Sequence, residues 1–157
     1  MAAKHPRWAR SLFSETDFEA IARAVADVES QTSAEIRVHL ERRVPRRRGI
    51  DADALGRARD VFVQLGMHRT ALRHGILIYL ALDDHQVAIV GDEGIHVRVA
   101  SGYWEDIRDR MVERLRRGEP GAAVVDAVHQ LGPSLSRHFP RGTDDTNELS
   151  DNVSLEP

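Results

Sequence analysis

Gly75 to Leu82 reads GILIYLAL, a nearly unbroken apolar run of strand length. Apolar side chains at odd and even positions alike must be covered on both faces. That predicts a central strand in a sheet with helices above and below it. With 157 residues the chain has room for one such domain and not for a two-domain enzyme.

The flanking segments supply the other elements. Ser14 with Asp17 makes a near capping box, and Phe18, Ile21, Val25 and Val28 then carry a helix over about 15 to 31. Ile36, Val38 and Leu40 alternate with Arg37, His39 and Glu41, the pattern of a strand with one buried face. Leu55, Ala58, Phe62 and Leu65 mark the buried stripe of a second helix, and Gly66 is placed to stop it in a left-handed cap. Asp83 to His85 turn the chain, and Val87, Ile89 and Val90 return as a hairpin partner of the central strand. Tyr103 to Arg117 buries Trp104, Ile107, Met111 and Leu115 as a third helix. Pro120 opens a fourth helix with the stripe Val124, Val128, Leu131 and Leu135, and Pro133 is expected to kink or break it. The first two strands flank a helix, so the crossover makes them parallel. The fold class that follows is α/β: an αβα three-layer sandwich around a small mixed sheet of three to four strands, one parallel pair plus a hairpin, with about four helices. There is room for a short extra strand at Ile95 to Val99.

Residues 1–11 read as an N-terminal extension, 12–140 as the domain and 141–157 as a disordered acidic tail. Asp144, Asp145, Glu148, Asp151 and Glu156 against Arg141 give that tail −4 of the formal −3, so the rest of the chain carries +1. No apolar stretch reaches the roughly 18 to 20 residues of a membrane span, and the first ten residues lack a signal-like apolar core, so a cytoplasmic protein is expected. The absence of cysteine excludes disulfides, thiol catalysis and cysteine-bound zinc.

Topology sorts the polar residues between the two ends of the sheet. At the carboxyl end of the parallel pair lie Arg42, Arg43, Arg46, Arg47 and Arg48 together with Asp83 and Asp84. Five guanidinium groups in seven residues suit an anion, since each can hold phosphate oxygens bidentately. Near-neutral charge and few exposed aromatics disfavour nucleic acid. At the other end lie Glu35, the loop with Arg69 and Arg73, and Asp92 with Glu93 between two glycines. Asp92 and Glu93 offer hard oxygen ligands to calcium or magnesium. The histidines have no HExxH spacing, and no GxSxG, Walker or GxGxxG motif occurs, so no organic cofactor and no activated serine are expected.

Thr32-Ser33-Ala34-Glu35-Ile36-Arg37, His74-Gly75-Ile76-Leu77-Ile78-Tyr79, Val87 to Ile95, Trp104 and the closing His138-Phe139-Pro140 stand in an order that resembles the TPM domain family. That group includes a thylakoid lumen protein tied to photosystem II repair. The resemblance spans about residues 12–140 and implies the same αβα sandwich, together with divalent cation binding, calcium above all, and an acid phosphatase activity in the plant member. It places family-like sites near the strand from Gly75 and the turn after Val90. His74 stands where the family usually has Asn and Ala34 where it has Gly, which leaves Asp92 and Glu93 as candidate ligands.

The leading expectation is a non-enzymatic module that binds a protein partner or, weakly, Ca or Mg. A first alternative is a metal-dependent phosphatase with Arg69 and Arg73 on the phosphoryl group. A second is a polyanion or acidic protein held by the Arg42–Arg48 loop, in competition with the acidic tail.

Overall fold

In a computed structural model that describes residues 6–45, 53–69, 74–96, 102–141 and 153–155, the apolar run forms strand β2, Gly75–Ala81, buried at every position. Strand β1, Glu35–Glu41, runs parallel to it with Glu35 opposite Gly75 and Glu41 opposite Ala81. Strand β3, Gln86–Gly91, returns antiparallel, with Gly91 opposite Ile76 and Gln86 opposite Ala81. The sheet order is β3-β2-β1-β4, where β4 is Ser154–Leu155.

The sheet divides two apolar cores. Ile36, Val38, Leu40, Ile76, Ile78 and Leu80 face helices α2 (Glu15–Glu29), α5 (Tyr103–Arg116) and α6 (Pro120–His138). Leu77, Tyr79, Ala88 and Val90 face α3 (Ala54–Gln64) on the opposite side. This is the layered α/β arrangement expected from an apolar run covered twice. Both halves of the capping box at α2 form: Asp17 N–H donates to Ser14 Oγ at 3.0 Å, and Ser14 N–H to Asp17 Oδ2 at 2.9 Å. Gly66 has φ of 73° after α3, the left-handed conformation its position called for.

Several boundaries differ from expectation, each for a physical reason. Residues Arg7–Arg10 form a short helix, α1, and Ala9 is fully buried, so the extension contributes to the core before residue 12. Leu55 is 41 % exposed, because α3 turns Ala54, Ala58, Val61 and Phe62 inward and leaves Leu55 in an open groove beside β3 with Trp104 and Arg108. Pro133 does not end α6, which continues to His138. Val128 and Leu131 before the proline and Leu135 after it are all buried in the same core, and that packing outweighs one lost amide bond.

In place of a strand from Ile95, the single helical turn α4 covers Glu93–His96 and tucks Ile95 into the core. Gly91 makes this possible: a β-carbon there would lie 2.9 Å from Ile95 Cγ2. Residues 97–99 lie outside the described ones. The tail, expected to be unstructured throughout, contributes Ser154–Leu155 to the sheet, parallel to β1 at His39 and Leu40. Among the described residues, no helix is long and apolar enough to cross a membrane.

Candidate functional site

Two acidic residues flank Gly75 at the amino end of the parallel pair. Glu35 is opposite Gly75, and Asp92 continues the line on the other side, its N–H donating to the Gly75 carbonyl at 2.9 Å. Ile36 faces the α2 and α6 layer and Val90 faces α3, so alternation turns Glu35 and Asp92 together toward the α3 side. They flank a residue without a side chain. At a strand spacing of ~4.8 Å, their α-carbons lie about 10 Å apart. Asp92 Oδ2 and Glu35 Oε2 are both shut off from solvent. The Met67 carbonyl oxygen lies 3.4 Å from where a Gly75 β-carbon would sit, with Met67 Cε and Phe62 Cζ at 3.6 Å.

Glu93 is the first residue of α4, and its side chain is outside the described atoms. Arg69 is exposed at the end of the 3-10 turn Met67–Arg69 that also carries Met67. Arg73, Arg46, Arg47 and Arg48 lie outside the described residues. No cluster of three or more histidine, aspartate or glutamate side chains suited to a metal occurs among the described residues. Calcium takes six to eight oxygens, so two carboxylates and a carbonyl fit a cation that keeps much of its water.

The family-like motifs also build the rim of this end. The Thr32 hydroxyl lies 3.1 Å from the Leu135 carbonyl, bonds to that of Phe139, and accepts from Ala34 N–H at 3.2 Å. Ser33 N–H donates to the Phe139 carbonyl at 2.9 Å. The start of β1 is thereby fixed to the end of α6. Ser33 Oγ hydrogen-bonds His74 Nδ1 at 3.0 Å, and the imidazole packs on Phe139 with ring centroids 4.4 Å apart. The serine–histidine contact joins residues far apart in sequence, and no local motif announced it.

At the opposite end, Arg42 and Arg43 are exposed, and both reach Asp83 Oδ2, at 3.5 and 3.6 Å. Asp84 Oδ2 accepts from Val44 N–H at 2.9 Å, which ties the chain leaving β1 to the hairpin. The predicted anion-binding residues thus divide between the two ends, and the described arginines of the loop share a carboxylate.

Beside them, the polar face of β1, which the alternation pattern does not count among the buried positions, lies in a buried network. Glu41 is 2 % exposed and His39 1 %. Tyr79 OH donates to Glu41 Oε2 at 2.7 Å, and Arg57 Nε from α3 donates to both carboxylate oxygens, at 3.0 and 3.2 Å. His39 Nε2 is 3.4 Å from Oε1. Burial alone would raise the Glu41 carboxyl, but hydrogen bonds from His39, Arg57 and Tyr79 and the Arg57 charge bring it down to about 2. Burial and the adjacent carboxylate push the Tyr79 phenol well above its usual range. The only sequence signal was a pair of polar residues two apart on a strand, which cannot distinguish a covered face from a wet one.

The TPM domain model matches residues 9–133. The chain is similar to BA42 protein from the psychrophilic bacterium Bizionia argentinensis, at 33 % identity over 99 % of this chain and 100 % of that one, with a TM-score of 0.81. The fold is also that of the N-terminal domain of cg2496 from Corynebacterium glutamicum, at 14 % identity, 94 % of each chain and TM-score 0.61. An N-terminal domain from P. gingivalis shares it at 21 % identity, 83 % of each chain and TM-score 0.62. No curated protein matches. With the family model covering most of its length, the chain belongs to the TPM domain family.

Proposed function

We propose that this domain is a binding module that takes a divalent cation, calcium or magnesium, at the sheet end formed by Glu35, Gly75 and Asp92. The observation that carries this reading is the register: two carboxylates stand on one face, either side of a glycine, with the Met67 carbonyl above it. Both carboxylates supply the hard oxygen donors that these ions prefer, and water completes the shell. Two protein carboxylates make a low-charge site, so the expected dissociation constant is of order 0.1 to 1 mM. Glu93 joins as an outer ligand in this reading, and family membership supports it through the cation binding linked to such domains.

Calorimetric titration with calcium and with magnesium tests it. The wild type should bind, and Glu35→Gln/Asp92→Asn, which keeps the side-chain shapes, should not. Equal heats from both proteins would remove the site. Metal-dependent hydrolysis of a generic phosphomonoester by the wild type would move the assignment from a module to a phosphatase, with Arg69 as the described guanidinium on the turn that carries Met67.

A further inference from the structure

The two edges of a sheet are open to another strand unless something covers them. Backbone direction shows how the outer edge of β1 is covered. Glu35 N–H bonds to the His74 carbonyl and the Glu41 carbonyl accepts from Leu82 N–H, so odd residues of β1 turn their backbone groups toward β2. Even residues therefore turn outward. Ile36 N–H is taken by the buried carboxylate of Glu29, at 2.7 Å from Oε2. Leu40 faces β4, opposite Leu155.

The tail seats itself by pattern. Val153 and Leu155, two apart, both pack against the core on the α2 and α6 side, the side that Val38 and Leu40 face. Among the described residues, only His39 and Leu40 pair with it, and in the sequence 11 mostly polar residues, 142–152, separate it from Arg141. A two-residue strand is a weak ligand, and attachment within the same chain raises its local concentration to the order of mM.

We propose that the outer edge of β1 at Leu40 is a strand-accepting site. The chain's own Val153–Leu155 occupies it in cis, and an extended peptide with the same apolar, any, apolar spacing takes its place in trans. Backbone pairing supplies the attachment and the two apolar side chains supply the selection. The site lies at the far end of β1 from Glu35, so it works whether or not a cation binds there.

Amide hydrogen exchange on the full-length chain, with the synthetic peptide SDNVSLEP (residues 150–157) as probe, tests this. In wild type the Leu40 amide should be protected. In Val153→Asp/Leu155→Asp it should exchange about tenfold faster or more, while the Ile78 amide at the sheet centre stays unchanged. Leu155→Ala, a milder trim, should give an intermediate rate. The peptide should restore Leu40 protection in the double variant and bind wild type about tenfold more weakly. A scrambled peptide with valine and leucine adjacent should do neither. Equal Leu40 exchange in wild type and both variants would overturn the proposal. So would a peptide that ignores the double variant, binds both proteins alike, or works as well when scrambled.

Discussion

Tyr79 OH donates to Glu41 Oε2 at 2.7 Å across the parallel pair, and Arg57 reaches the same carboxylate from α3, so three elements meet on one buried acid. Removing that charge strands the guanidinium. Glu41→Gln is expected to cost about 3 kcal/mol, the lower end for breaking a buried ion pair, because Arg57 keeps some access to water. Tyr79→Phe, which leaves the ion pair in place, should cost about 1 kcal/mol. Urea unfolding of the two variants against wild type measures both.

The same carboxylate sets an acid limit. Its folded value of about 2 lies below the ordinary 4.5, so its contribution is complete above 4.5 and is lost as pH falls toward 2. Stability of the wild type should therefore fall through this window more steeply than that of Glu41→Gln, and the two curves should converge in acid. Parallel curves would assign the acid sensitivity to other groups.

Tyr79 and Tyr103 set an alkaline counterpart. Burial raises both phenols, with the Glu41 carboxylate adding to Tyr79, so the folded chain keeps protons that the unfolded chain releases near its ordinary 10.0. Stability should decline as pH rises past that value. The tyrosinate absorbance should appear together with the loss of circular dichroism and not before it.

Gly91→Ala places a methyl group 2.9 Å from Ile95 Cγ2 and 3.1 Å from its Cβ, an overpacking expected to cost about 1 to 3 kcal/mol. Ile95→Ala removes the nearer atom. A double-mutant cycle should show the two costs to be less than additive, and additive costs would mean that α4 moves aside instead.

What was legible in the sequence is what period and turn chemistry control. The run from Gly75 to Leu82 announced a doubly covered strand, and the stripe from Val124 to Leu135 announced α6, although its continuation past Pro133 was not legible. The sorting of Glu35 and Asp92 to one sheet end followed from the parallel crossover together with the hairpin return of the third strand. Burial of a polar face was not legible, because His39 and Glu41 look the same in a string whether water or Arg57 and Tyr79 satisfy them. The turn at Glu93–His96 was hidden for a related reason: Ile95 reads as a strand residue until Gly91 is seen to leave room for its side chain. Ser154–Leu155 carried no signal above its polar surroundings.

An NMR titration with calcium tests the cation site most directly, since backbone amides report where an ion sits. The account predicts saturable shifts centred on Glu35, Gly75, Asp92 and Met67, half complete at or below ~1 mM and absent in Glu35→Gln/Asp92→Asn. Shifts centred instead on Asp83 and Asp84, or none by about 10 mM, would contradict it.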